Sequence, residues 1–208
     1  MPTDSFSNSP NLSEKETSAD AIEATRKWVE KVIVGFNFCP FAKREVVRNT
    51  IRYRVLSFPD SSRESFFDAL DQLSREYGYL DEQPETETTL VIFPDFLTSF
   101  DDFLDFLGFA EQALVDQGYE GTYQLAHFHP DYCFEGEAVS DPANYTNRSP
   151  YPTLHIIREE SMEKVLANIA DPEEIPERNI QLARNMGSEK LSAILTSCFD
   201  VKKTSERK

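Results

Sequence analysis

The sequence predicts a single domain of the α/β or α+β class, with helices packed on a sheet of four strands. Three observations support this prediction. The chain has 208 residues, which suits one domain with a sizeable hydrophobic core. Apolar residues recur at helical spacing in some segments and as alternating or short continuous runs in others. Glycine and proline stand at the points where one pattern gives way to the next.

The elements can be assigned in order along the chain. Ala21 to Val34 has apolar residues at helical spacing, and Gly35 follows where a helix commonly ends. A second helix can begin at Pro40, because proline suits the first helical position. Four strands are predicted, at residues 52–58, 88–93, 123–129 and 153–158. The remaining helices are predicted at residues 61–77, 100–117, 162–169, 172–186 and 188–199.

The connections predict how the strands are arranged. Helices join the first three strands, so right-handed crossovers could make these strands parallel. A long loop without a helix joins the third strand to the fourth, which favours an antiparallel pair. The polar, serine-rich residues 1–19 are predicted to be disordered, residues 20–199 to form the globular domain, and residues 200–208 to be a solvated tail.

Charge and composition exclude several classes of protein. The net charge of −16 disfavours binding to nucleic acid and to anionic membranes. No apolar run is long enough to span a bilayer, and the first residues lack the pattern of a secretory signal. The three cysteines do not suggest a disulfide framework. We therefore expect an acidic, soluble, cytoplasmic protein.

All three histidines of the chain fall between residues 126 and 158. His127 and His129 lie on one face of the third strand by alternation, and His155 lies on the fourth. If register allows, the three imidazoles meet and could bind a divalent transition metal such as zinc or iron, with Asp131 or Cys133 completing the shell. Proton transfer by the histidines, or their holding an anionic substrate, is a second possibility. A third possibility is that each histidine is structural and forms a hydrogen bond with its own partner.

Cys39 is the second candidate for chemistry. It precedes Pro40, so it would stand at the start of the second helix, where backbone N–H groups favour a thiolate. Lys43 and Arg44 would strengthen that effect. The alternative is a buried cysteine that packs between Phe38 and Phe41 as a small hydrophobic residue.

The long loop between the third and fourth strands is rich in hydrogen-bonding side chains, and loops of this length are usually functional or disordered. Arg148 could bind a carboxylate or phosphate, or its ion pair could simply tie the loop down. The predicted substrate-binding residues are Tyr132, Asn144, Tyr145, Asn147 and Arg148.

Two segments, GFNFCPFAK at residues 35–43 and the run from His127 to Glu159, resemble the bacterial family named only as domain of unknown function 1415. The resemblance extends over nearly everything from Ala21 to Leu195. It implies that both segments belong to the recognisable core of the family, which fits their forming one site. It implies no activity, cofactor or catalytic residue.

The leading hypothesis is an enzyme that acts on a small anionic metabolite. His127, His129 and His155 would be metal ligands or acid–base groups, with Asp131 beside them and Cys39 as a nucleophile or further ligand. The alternative is a non-catalytic domain that binds a ligand or a protein and whose histidines are structural. The sequence leaves open the reaction, the substrate, any protein partner and the oligomeric state.

Overall fold

A computed structural model describes residues 12–200 of the chain, with side chains from Ser18 onward. Within this part the fold is α+β, with seven α-helices around one mixed sheet of four strands. The helices are α1 Leu12–Trp28, α2 Ala42–Arg48, α3 Arg63–Glu82, α4 Phe100–Asp116, α5 Glu159–Leu166, α6 Ile175–Met186 and α7 Ser188–Thr196. The strands are β1 Ile51–Val55, β2 Thr88–Ile92, β3 Tyr123–Phe128 and β4 Thr153–Arg158. The predictions for residues 1–11 and 201–208 lie outside the described residues.

The strand order is β1-β2-β4-β3. β1 and β2 pair in parallel, and β3 pairs antiparallel with β4, as the connections predict. The sequence did not predict the position of β4, which inserts between β2 and β3 and runs antiparallel to both. β2 and β3 therefore point the same way without being neighbours. All five residues of β2 are buried, because helices cover both faces of the sheet at this central strand.

The two faces of the sheet carry separate hydrophobic clusters. On the first, which we call the packed face, α3 and α4 lie against alternate residues of the strands, among them Val91, Leu154 and Ile156. On the second, which we call the cavity face, the cluster joins Leu90 of β2 to residues of α1, α6 and α7. Successive side chains of a strand point to opposite faces, so each strand contributes to both clusters.

α1 runs directly into a π-helical segment, Val29–Val34, that ends at Gly35. Helix rather than strand is thus correct for this apolar stretch, although the helix begins at Leu12 and not at Ala21. A Cβ atom at Gly35 would lie 2.2 Å from the carbonyl oxygen of Lys31, so only glycine allows this close approach. π-helical turns are rare and often occur at functional sites.

Other predicted helix boundaries also differ from those observed, most clearly at α3 and α2. α3 does not end at Tyr77 but continues through Gly78 to Glu82, because Leu80 is fully buried and packing extends the helix. α2 begins at Ala42 rather than at Pro40, after a short turn. No helix in residues 12–200 is long and apolar enough to cross a membrane.

Candidate functional site

A cavity of about 410 Å³ lies on the cavity face of the sheet. One wall is formed by side chains of three strands, including Thr88, Leu90, Ala126, Phe128, His155 and Ile157. The opposite wall combines the end of α1, the π-helical segment, the turn around Cys39 and the start of α6. Its volume falls in the range usual for small-molecule sites, which are mostly apolar with a few polar groups.

The cavity unites the two sequence segments that were predicted to form one site. Cys39 comes from the first segment, whereas Asn147 and His155 come from the second, and all three line the same cavity. α6 positions the first segment, because Asn179 donates a hydrogen bond to the carbonyl oxygen of Phe38 at 2.7 Å. The prediction that the two segments adjoin in space is confirmed.

Charge is sparse in the cavity wall. Glu45 is the single charged residue that lines it in the described part of the chain, and no lysine or arginine does. The Glu45 side chain is fully buried. It accepts hydrogen bonds from Arg44 at 2.6 Å and from Thr50 at 2.5 Å. The guanidinium of Arg44 lies about half exposed, so the cation of this pair stands outside the cavity.

The sulfur of Cys39 lies in an apolar environment. Burial raises the pKa of its thiol, and the N–H groups of Ala42 and Phe41, which lower the pKa, do not offset that effect. Cys39 was predicted to stand at the start of the second helix, but α2 begins three residues after it. The thiol of Cys39 is therefore neutral and faces the cavity, whereas the sequence suggested a thiolate.

His155 is held by one hydrogen bond. Its Nε2 lies 2.6 Å from the hydroxyl oxygen of Thr88 on the adjacent strand β2. The same hydroxyl lies 2.5 Å from the carbonyl oxygen of Ile156. Burial lowers the pKa of His155 to about 4, so the ring is neutral at physiological pH.

His127 lies on the opposite face of the sheet from His155. In the register of β3 and β4, Ala126 pairs with His155, and His127 pairs with Leu154. His127 therefore points to the packed face, where it stacks on Tyr132 with ring centroids 5.5 Å apart. Burial lowers its pKa, and its Nδ1 has no hydrogen-bond partner within residues 12–200.

His129 is fully buried on the packed face and uses both ring nitrogens. Nδ1 accepts a hydrogen bond from the backbone N–H of Asp131 at 3.0 Å, so Nε2 carries the proton and donates to the carbonyl oxygen of Leu97 at 3.1 Å. Leu97 has a positive φ of 57°, and this bond helps to hold that conformation. The side chain of Asp131 is exposed, and only its backbone N–H contacts His129.

The three imidazoles thus do not converge, and the expected common site of His127, His129 and His155 is wrong in its geometry. The register puts the rings of His127 and His155 on different faces of the sheet. No group of three His, Cys, Asp or Glu side chains within residues 12–200 is arranged to hold a metal ion.

The long loop is held together by its own side chains. Arg148 donates from Nε to the carbonyl oxygen of Tyr132 at 3.2 Å and from Nη2 to that of Val139 at 2.9 Å. Its guanidinium also lies over the ring of Tyr145, 4.6 Å from the centroid. Arg148 therefore ties the loop down, and it does so through backbone carbonyls rather than through the ion pair considered from the sequence.

The side chains of two asparagines of the loop are likewise hydrogen-bonded to the protein backbone. Asn144 is fully buried, accepts from the N–H of Phe134 at 3.0 Å and donates to the carbonyl oxygen of Ala138 at 2.9 Å. Asn147 donates to the carbonyl oxygen of His127 at 3.2 Å. Of the predicted substrate-binding residues, only Asn147 lines the cavity.

Sequence reasoning missed several residues of the cavity. Trp28, the sole tryptophan, lies within the apolar pattern of the first predicted helix, and nothing in the sequence marks it as part of a site. In the structure it is 1% exposed, lines the cavity, and its indole N–H has no partner within the described chain. Glu45 stands among the charged residues Lys43, Arg44 and Arg48, so the sequence does not mark it as buried. Thr88 and Asn179 carry no sequence pattern that marks them.

Comparison with known proteins gives one match. A family model described as a protein of unknown function, DUF1415, covers residues 20–193. The search of curated proteins and the search of solved structures each returned no match.

Proposed function

Since the chain belongs to the DUF1415 family, whose description assigns no activity, we propose a function from the cavity alone: it binds a small, mostly apolar molecule without negative charge. The observation that carries this proposal is a cavity of about 410 Å³ whose wall, as far as residues 12–200 form it, includes no lysine or arginine. Such a volume accommodates a molecule of one or two rings, and the apolar wall would contribute most of the binding free energy.

The charge of the wall argues for a neutral ligand. An anion placed in the cavity would lose its hydration, and the described wall contains no lysine or arginine to pair with it. Burying an ion without a partner costs several kcal/mol. The anionic metabolite expected from Arg148 remains an untested alternative, but the donors of Arg148 are directed to carbonyl oxygens of the loop.

Two dyes of matched shape test this proposal on the full chain. N-phenylnaphthylamine is neutral, and anilinonaphthalene sulfonate adds one negative charge to the same rings. The sole tryptophan, Trp28, lines the cavity, so a dye bound there should quench its fluorescence by energy transfer. We expect saturable binding of the neutral dye, and at least ~10-fold weaker binding of the sulfonate, which corresponds to about 1.4 kcal/mol.

A cavity-filling variant locates the bound dye. Ala126 lines the cavity beside His155, so Ala126→Leu should abolish quenching. Ala193→Leu is the matched control, because Ala193 is exposed on α7. Equal binding by the wild type and Ala126→Leu, or no saturable binding by the wild type, would overturn the proposal.

Catalysis is the second candidate function, and the Cys39 thiol in the cavity wall favours it. The thiol would add to an activated carbon–carbon double bond of the bound molecule. A base such as His155, which lines the same cavity, would accept the thiol proton as the S–C bond forms and the π bond breaks, and would return that proton to the neighbouring carbon. No hydrogen bond joins Cys39 to His155, so the bound molecule or a water molecule would link them.

Alkylation by a neutral, cavity-sized electrophile such as N-phenylmaleimide tests this second function. We expect Cys39 to react faster than Cys133, which is half-buried outside the cavity, and His155→Phe to slow Cys39 by ~100-fold. Mass spectrometry of each cysteine peptide measures both rates. Cys39 reacting no faster than Cys133, or a rate unchanged by His155→Phe, would exclude this chemistry.

A further inference from the structure

The hydrogen bonds around Thr88 determine which nitrogen of His155 carries the proton. The Thr88 hydroxyl has a single proton and lies 2.5 Å from the carbonyl oxygen of Ile156, which can only accept. The proton of Thr88 therefore goes to Ile156. The contact of 2.6 Å between Thr88 and His155 then requires His155 to donate, so the proton of the ring lies on Nε2.

This arrangement leaves Nδ1 of His155 with its lone pair. No residue of the described chain donates a hydrogen bond to it, and the ring lines the cavity. The ring is also neutral, because burial lowers its pKa to about 4. His129 differs, since both of its nitrogens are bonded to the backbone.

The same cavity contains an unpaired donor. The indole N–H of Trp28 is buried without a partner in residues 12–200, and Trp28 is 1% exposed. Buried polar groups are almost always hydrogen-bonded, so an oxygen of a bound molecule that reached this N–H would supply the partner it lacks. The mostly apolar wall thus includes the free lone pair of His155 and the unpaired N–H of Trp28, beside polar side chains such as Gln124 and Asn147.

We propose, building on the function above, that the ligand is an uncharged apolar alcohol or phenol whose hydroxyl donates to Nδ1 of His155. An oxygen of the same molecule would accept from the indole N–H of Trp28. A hydroxyl satisfies this wall because it is both donor and acceptor. A hydrocarbon would leave both groups unpaired, and an ether would leave Nδ1 unpaired.

Naphthol and its methyl ether test the assignment, because they share a ring system and differ in the O–H group. Calorimetry would give the ratio of their two affinities for the full chain. We expect the ratio to favour naphthol by about 5-fold more in the wild type than in His155→Phe, as one hydrogen bond predicts. His127→Phe is the matched control on the packed face and should keep the wild-type ratio.

A second measurement does not depend on the variant folding. With ¹⁵N-labelled histidine, the three ring systems can be resolved by NMR. We expect Nε2–H on His155 in the free protein, and a shift of its Nδ1 resonance with naphthol but not with the methyl ether.

The outcomes separate this inference from the function on which it rests. If neither compound binds, both proposals are wrong. If both compounds bind and the affinity ratio is the same in the wild type and His155→Phe, the cavity binds small molecules but His155 is not the acceptor. A proton on Nδ1 of His155 in the free protein would also overturn the inference.

Discussion

The two faces of the sheet contain similar kinds of residue but differ in how completely these residues fill the space. On the packed face, α3 and α4 fill the surface with aromatic and aliphatic side chains, and His129 lies among them with both nitrogens bonded to the backbone. On the cavity face, the residues leave about 410 Å³ of space, and His155 presents one nitrogen that no described residue uses. Burial lowers the pKa of both rings, and they differ in how many ring nitrogens the described chain uses, two in His129 and one in His155.

Aromatic packing explains the density of the first face. Phe103 lies 5.2 Å from His129, measured between ring centroids, and 6.5 Å from His127. The cavity face is covered in part by α5, which has no buried residue. Elements with few buried apolar contacts open more easily, so α5 is expected to open more easily than α3 and α4.

The largest expected effect is the difference in stability lost when two neighbouring isoleucines of β4, one on each face, are replaced. Ile156 is fully buried on the packed face, and Ile157 lines the cavity. We expect Ile156→Ala to lower the free energy of unfolding by about 4 kcal/mol and Ile157→Ala by about 2 kcal/mol, because Ile157 has fewer neighbours to lose. Urea denaturation measures both values. Equal losses would mean that the two faces are equally well packed.

The second-largest expected effect is that of His155 on the pH dependence of the free energy of unfolding. Its pKa is about 4 in the folded protein, against about 6.5 in an unfolded chain. Between these values the unfolded chain binds more protons, so stability falls as the pH drops from about 6.5 to about 4, by up to about 3 kcal/mol. His155→Phe should flatten this loss, which urea denaturation at several pH values would measure.

Part of the slope should persist in that variant, because burial also lowers the pKa of His127 and His129. A slope identical to that of the wild type would show that His155 is protonated in the folded protein over this range.

Replacing the two histidines by phenylalanine at a pH above 7 should separate their roles. His129→Phe leaves the carbonyl oxygen of Leu97 and the N–H of Asp131 without their partner, and should cost about 2 kcal/mol. His155→Phe removes one bond, and Thr88 still donates to Ile156, so the loss should be under about 1 kcal/mol. Thermal unfolding would rank them, and the opposite order would contradict the assignment.

Arg148 should show the smallest effect. Arg148→Met removes two hydrogen bonds to loop carbonyls from a partly exposed side chain, and should lower stability by about 1 kcal/mol. The affinity for the neutral dye should not change, because Arg148 does not line the cavity. If Arg148→Met lost more binding free energy for the dye than free energy of unfolding, Arg148 would belong to the binding site.

Much of the site region could be predicted from the sequence. The concentration of histidines and polar loop residues between residues 126 and 158 marks the segment that supplies His155 and Asn147 to the cavity. Alternation along β3 correctly grouped His127 with His129, which both lie beside Phe103. The roles of Arg148 and Asn144 could not be predicted, because backbone groups 5 to 16 residues away in the same loop bind their side chains, and no residue pattern marks such groups.

The sequence by itself determined the strands, most of the helices, and which side chains of each strand share a face, since these follow from local periodicity. Only the tertiary structure decided which face of β4 matches which face of β3. Ala126 rather than His127 stands opposite His155, and a shift of one residue would have brought the two imidazoles together. Register between strands depends on the packing of both faces at once, and so on contacts that no single segment contains.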